Sequence, residues 1–372
     1  MNDGKKKEQD MNRRRTSLKL MAATTAAAAV PTWARAQAEA PLSIGFVYVS
    51  PIGDAGWTFQ HESGRRELVA SFGDRIATRF VESVPEGPDA ERVIREMAQS
   101  GARIVFATSF GYMNYVERVA RSFPGTAFLH ATGYKTSRNL GVYNGRFYEG
   151  RYLNGVIAGS MSKTGVLGYV GAFPIPEVLQ GINAFTRGAR SVNPKIEVRV
   201  IWVNSWYDPG REREAANTLM SQNADIVTHH TDSTAVVQAA EERGKWAFGY
   251  HSDMSKYGPN AQLSATTHHW GAFYRHTVEA VMAGNWTPPR LWGGMKDGVI
   301  RIAPINPVVP AEVRARVDEL AAGIIAGSVH PFEGPVIDQD GKSRHDSGPM
   351  DDDTLGRMDY YVEGVASRLP RR

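Results

Sequence analysis

Cysteine is absent from this chain, which removes disulfides, thiolate metal sites and a lipid-bearing N-terminal Cys from consideration. No apolar run reaches the roughly 20 residues that a membrane-spanning helix needs. No G-x-G-x-x-G follows the first predicted strand and no Gly-Lys-Ser/Thr phosphate loop occurs, so dinucleotide and P-loop chemistry are set aside. A G-x-S-x-G elbow and an H-E-x-x-H pair are lacking too, and with them two common hydrolase signatures. Charge of one sign is scarce once the chain is divided. The formal net charge is +4, but residues 1–38 carry eight of the 43 Lys and Arg against three of the 39 Asp and Glu. The remainder holds 35 basic and 36 acidic residues, so the basic character belongs to the leader and nucleic acid is not an expected partner.

That leader reads "NRRRTSLKLMAATTAAAAVPTWARAQAEA": a basic stretch, a short Ala/Thr-rich run, and small residues at Ala34, Ala36 and Ala38 that fit an A-x-A cleavage site. Arg14 and Arg15, followed by Thr16, Ser17, Leu18 and Lys19, resemble the twin-arginine signal that exports folded proteins. Residues 1–38 are therefore expected to be an export signal cut after Ala36 or Ala38. The mature chain is expected in the periplasm with no lipid anchor.

From residue 42 short apolar runs alternate with helical stretches. "LSIGFVYV", "IATRFVESV", "ARIVFATS" and "TAFLHATG" read as strands, separated by helices through "WTFQHESGRRELVASFG", "DAERVIREMAQSG" and "NYVERVARSFPG". The rhythm then repeats with "VLGYVGAF", "EVRVIWVNSW", "ADIVTHH" and "WAFGYHS". Strand and helix in alternation predict parallel sheets covered on both faces. The expected fold is α/β, with two doubly wound parallel-sheet lobes. Three crossovers, near 143–147, 249–253 and 295–302, would make a hinge. Lobe 1 is then 41–145 plus 253–298, and lobe 2 is 146–252 plus 299–372.

Ligands of open parallel sheets sit beyond the carboxyl ends of the strands. The segments there carry Asp54 and Trp57; Ser109, Phe110 and Asn114; Phe173 and Glu177; Trp206 and Asp208; His230, Asp232 and Ser233; His251 and Asp253. Aromatic rings and acids dominate.

The order of motifs resembles the basic membrane protein family of bacterial solute-binding proteins, the purine-binding receptors of ABC importers, from about Pro41 to Pro370. Members carry an Asp, an aromatic three residues on and a Gly ten residues on, matched here by Asp54, Trp57 and Gly64. The run "YLNG", "SKTG", "GYVG" is similar to the family's central segment, and "VNSWYDPGREREAANTLMSQNADIVTHHTDS" to the part that brings a second aromatic, here Trp206. "FEGPVIDQDGK" and "MDYYVEGVASRLP" resemble the tail of a subgroup that tends to bind free bases. The resemblance implies a periplasmic binding protein of type I, a permease partner in the inner membrane, no cofactor and a monomer. Two departures matter. Where nucleoside-binding members have an Asp that can hold ribose hydroxyls, this chain has His251 in "FGYHSD", and His268 in "TTHHW" stands for their lysine. Both changes favour a bare purine over a nucleoside.

A purine is flat and aromatic, so two rings can hold it by stacking, while discrimination needs donors and acceptors at its edge. Trp57 and Trp206 are the expected stackers. Asp54 and Asp232 are expected to face purine N–H groups, although either could instead serve a helix N-terminus. Ser109, His251, Asp253 and His268 complete the candidate ligand set, and no catalytic or metal residue is assigned. Two rivals from other classes stay open: a metal binder built on the His229–His230 and His268–His269 pairs, and an exported nucleoside hydrolase.

Overall fold

The computed structural model describes residues 40–370, and the export signal expected over residues 1–38 lies outside them. Two separate six-stranded sheets organise the chain. The first contains β1 (Leu42–Val47), β2 (Ile76–Val81), β3 (Ile104–Ala107), β4 (Ala127–Ala131), β5 (Leu140–Gly145) and β11 (Arg290–Gly293), in the order β11-β5-β4-β3-β1-β2, with every pairing parallel. The second contains β6 (Val166–Gly171), β7 (Glu197–Trp202), β8 (Ile226–His230), β9 (Trp246–His251), β10 (Gln262–His268) and β12 (Ile300–Ile302), in the order β12-β10-β9-β8-β6-β7. Only its edge strand β12 is antiparallel.

Central strands read as unbroken buried runs because both faces are covered. Along β3, Ile104 and Phe106 face α1 (Trp57–Phe72) and α8 (Gly271–Met282), whereas Val105 and Ala107 face α2 (Pro88–Gln99) and α3 (Met113–Ser122). Period-two alternation thus divides one apolar run between two cores. The second sheet is covered likewise. One face carries α4 (Phe147–Met161), α5 (Pro176–Val192) and α9 (Ala311–Ala326), and the other carries α6 (Pro209–Ser221) and α7 (Ala235–Glu242). Helices α4 and α5 pack almost backbone to backbone: a Cβ on Gly155 would overlap the Phe185 carbonyl.

Residues 303–370 pack on the second lobe. Val365 bridges to Val198, Trp202 Nε1 donates to Tyr361 Oη at 3.0 Å, and Asn183 binds Tyr360 O and Val362 N. A hairpin of β13 (Val336–Ile337) and β14 (Ser343–His345) and a short helix α10 (Asp352–Leu355) belong to this tail. Asp352 returns to the hinge, where it takes both terminal nitrogens of Arg146.

The chain passes between the lobes at Arg146, between His268 and Gly271, and between Gly293 and Ile300. The second passage corrects the expected one near 249–253. Strand β10 pairs in parallel with β9 inside the second sheet, so residues 253–268 belong to lobe 2. Residues 252–261 make that parallel connection without a helix, and strand–helix alternation carries no signal for such a link. Only after His268 does the chain return to the first lobe, where α8 packs along α1 and a Cβ on Gly64 would press within 2.9 Å of Tyr274.

Candidate functional site

The carboxyl ends of both sheets open onto one narrow cleft, which holds about 380 Å³ of unfilled space when the open solvent at its mouth is counted. Val49, Trp57, Ser109, Phe110 and Thr132 line it from the first lobe, and Glu177, Trp206, His230, Thr231, Asp232 and His251 from the second. Each lies at or just beyond a strand exit, where parallel sheets leave room for ligands.

Trp57 opens α1 and is 8% exposed. Its Nε1 donates to Thr108 O at 2.7 Å, and its ring packs on His61, His251 and His268 at centroid distances of 4.5, 5.3 and 5.0 Å. Trp206 is half-buried. Its ring meets Phe173 edge-on at 5.0 Å, and its Nε1 donates to Glu86 Oε1 of the first lobe at 3.1 Å. The same Glu86 oxygen accepts from Ser109 Oγ and from Gly111 N.

Asp232 reaches out of the second lobe to the first. Its carboxyl accepts from Ser50 Oγ and from the backbone N–H groups of Trp57 and Thr58. It therefore serves the first turn of α1 in the opposite lobe, where helix N–H groups lack partners. Its own helix α7 is served by Ser233 Oγ, which accepts from Ala235 N at 3.2 Å. Burial pushes the Asp232 carboxyl up to about 8. The contact explains Gly56: with φ of 102°, a Cβ there would overlap both the Asp232 carboxyl and its carbonyl oxygen. Gly56 N also donates to Ser252 Oγ at 2.6 Å, and Gln60 Nε2 to His251 O at 3.0 Å. The start of α1 is thus docked on the second lobe.

Five of the expected ligand residues, Trp57, Ser109, Trp206, Asp232 and His251, come together in the lining. Three do not. The Asp54 side chain is 70% exposed on the outer rim, where it accepts from Tyr257 Oη at 3.0 Å and pairs with Lys256 Nζ at 3.4 Å. Those bonds hold its carboxyl below the ordinary range. Asp253 is exposed and accepts from Ser255 N and Gln262 Nε2, so it shapes the loop before β10. His268 stands behind the lining, with Nε2 3.1 Å from His251 Nδ1.

Two ionisable groups in the lining, Glu177 and His230, are not among the expected ligand residues. Glu177 sits in the first turn of α5, 11% exposed at its side chain, with Oε1 3.5 Å from His230 Nε2. Its Oε2 has no partner among the described residues. Burial pushes this carboxyl up to about 8, against a bond from Asn144 that pulls the other way. His230 and His251 are held well below the ordinary imidazole range, first by burial and then by cationic or imidazole neighbours. At neutral pH the site therefore offers neutral donors and acceptors between aromatic rings. The histidine pairs do not build a metal centre: among the described residues, no three His, Asp or Glu groups are placed to hold a metal ion. No helix among them is long and apolar enough to cross a membrane.

Comparison with known proteins agrees with this fold. A purine-binding protein of Brucella abortus is 50% identical over 90% of this chain and 96% of its own length. A protein of Haloferax volcanii, whose name proposes an ABC transporter glucose-binding role, is 37% identical over 88% of this chain and 81% of its own. Among solved structures, an ABC solute-binding protein from Aeropyrum pernix superposes with a TM-score of 0.69 at 18% identity, covering 85% of this chain and 95% of that one. A transcriptional activator from Bacillus halodurans shares the fold too, with a TM-score of 0.65 at 23% identity over 82% of this chain and all of that one. The family model for PnrA-like ABC transporter substrate-binding proteins matches residues 42–331, and the chain belongs to that family.

Proposed function

We propose that this substrate-binding protein captures a free purine base (adenine, hypoxanthine or guanine) between Trp57 and Trp206 and presents it to its ABC permease. The observation that carries the reading is the placement of two indoles, one from each lobe, on a single cleft. The purine-binding name of the relative at 50% identity supports it. Stacking on an aromatic side chain contributes about 1–3 kcal/mol per base. Because the two rings come from different lobes, the stack is complete only when the lobes meet, and closure reports occupancy to the permease.

The ring edge is read by Glu177 and His251. A protonated Glu177 offers an O–H donor beside a carbonyl acceptor, the complement of an acceptor next to a donor on a purine edge. Base rather than nucleoside is favoured by His251, which fills a strand exit where a ribose diol would call for an ionised acceptor. The protein acts as a monomeric receptor without cofactor or catalysis, exported by its twin-arginine-like leader to the periplasm.

Calorimetry with bases, nucleosides and glucose tests the proposal. Bases should bind more tightly than their nucleosides, and glucose should not bind. Tighter binding of nucleosides, or of glucose, would sink it. Nucleosides incubated with the protein should yield no free base, and the N-terminus of the exported chain should begin after Ala36 or Ala38.

A further inference from the structure

His251 ends β9 with φ of 68°, a left-handed conformation that a residue with a Cβ adopts at a cost and that tends to mark functional positions. Gln60 of the first lobe holds its carbonyl. The imidazole so placed is part of the cleft lining. Its Nδ1 lies 3.1 Å from Nε2 of His268, which leaves Nε2 of His251 as the ring nitrogen with no partner among the described residues. His268 is fully buried, and its Nδ1 has no partner among the described residues. The rings around it are those of Trp57, His61, Phe147 and Trp270. Among the described residues no carboxylate fixes its proton, and burial keeps both imidazoles neutral.

Two neutral imidazoles joined in this way can share the bond in two senses. In one, His268 Nε2–H donates to His251 Nδ1, and His251 carries its own proton on Nε2 as a donor. In the other, His251 Nδ1–H donates to His268 Nε2, the His268 proton sits on Nδ1, and His251 Nε2 is a bare acceptor. Moving between them transfers no net charge.

We propose that the His251–His268 pair is a two-way edge reader, so that the cleft takes 6-aminopurines and 6-oxopurines alike. This rests on the purine reading above. A 6-amino group brings an N–H and needs an acceptor; a 6-oxo group brings a carbonyl and needs a donor. An edge of fixed sense would leave a buried polar group unpaired with one of the two classes. The pair answers either at the ligand edge by exchanging tautomers, while His268 Nδ1 stays without a partner among the described residues in both senses.

The test uses the full chain labelled with ¹⁵N on histidine, titrated with adenine and with hypoxanthine. Calorimetry should give affinities within about tenfold of each other. The ¹⁵N shifts of His251 should show Nε2 unprotonated in the adenine complex and protonated in the hypoxanthine complex. The same tautomer in both complexes overturns the proposal, as does a preference of about a hundredfold for one base. His268→Leu should separate the two affinities by about tenfold, against adenine, because a buried N–H on His251 Nδ1 would lack its acceptor. His268→Gln, whose amide can donate or accept, should bring them back together. An unchanged ratio in His268→Leu also overturns the proposal, and if that variant does not fold the parent spectra decide. Should neither base bind, the purine reading falls and this inference with it; binding with one fixed tautomer defeats this inference alone.

Discussion

From the first lobe the cleft receives Val49, Trp57, Ser109, Phe110 and Thr132, none of which is an acid or an imidazole, whereas the second lobe brings Glu177, His230, Asp232 and His251 beside Trp206. The two indoles differ as well. Trp57 is wedged among buried rings and tied to Thr108 O, while Trp206 is half-buried and borrows its hydrogen bond from Glu86 across the cleft. On the purine reading, the first wall would supply a stacking ring alone, and the second a stacking ring together with the groups that could tell one purine from another. Both lobes would then share affinity, discrimination would fall to the second, and closure would join them.

Breaking the stack should expose that division most strongly. Trp57→Ala and Trp206→Ala should each weaken purine binding by about 1–3 kcal/mol, or roughly tenfold to a hundredfold. Stability should separate them. The buried Trp57 leaves a cavity, and such a truncation costs about 3–5 kcal/mol; the half-buried Trp206 should cost about 1 kcal/mol. Thermal melts of the ligand-free variants compare the two, and equal losses would contradict the asymmetry.

Closure is the next target. Gly56→Ala puts a Cβ into the Asp232 carboxyl only when the lobes are together. Overpacking of this kind costs about 1–3 kcal/mol, so the variant should bind about tenfold more weakly or worse. Small-angle scattering with saturating base should show it staying more extended than the parent.

Much of this arrangement was legible in the sequence, for a physical reason. Strands such as "IVFA" are apolar on both faces, so their runs announce a parallel sheet, and the strand exits held Trp57, Trp206 and His251 among other candidates, which the family resemblance then narrowed. Strand β10, "QLSATTH", was harder to place. It is polar in sequence yet fully buried, and it follows β9 without a helix. Asp54 and Asp232 show a second limit. Both are acids beside strand exits, but one ends on the outer rim and the other caps a helix of the opposite lobe, because the contacts that sort them are interlobe contacts absent from any local pattern. Glu177 reads as an ordinary acid in a helix's first turn; only the closed cleft, by desolvating it, changes its chemistry.

A smaller effect should sharpen the role of the second lobe. Glu177 is pushed up to about 8 by burial, so its neutral form prevails at pH 7 and, on the purine reading, would donate to the base. Purine affinity should therefore fall as pH rises through about 8. Stability of the closed, purine-bound protein should move the same way: a carboxyl raised above its unfolded value stabilises fully below that value and loses the contribution as pH rises through the folded one. Glu177→Gln, which keeps a donor and an acceptor, should bind nearly as well at pH 7 and hold its affinity at pH 9. Calorimetry across this range checks it, and a parent with flat affinity would count against a donating acid.

Asp54→Asn should do least. The carboxylate lies outside the lining, and its partners in the second lobe are the partly buried Tyr257 and the exposed Lys256. An exposed ion pair is worth about 0–1 kcal/mol and is screened by salt. The asparagine can still accept from Tyr257 Oη, so what is lost is mainly the attraction to Lys256 across the rim. Purine preference should be unchanged, and affinity should drop less than about fivefold, because this pair forms only as the cleft shuts. The drop should shrink further in 0.5 M salt, where the Debye length falls to about 4 Å. A change in which base is preferred would place Asp54 at the ligand edge after all, and would mean that the first lobe also takes part in discrimination.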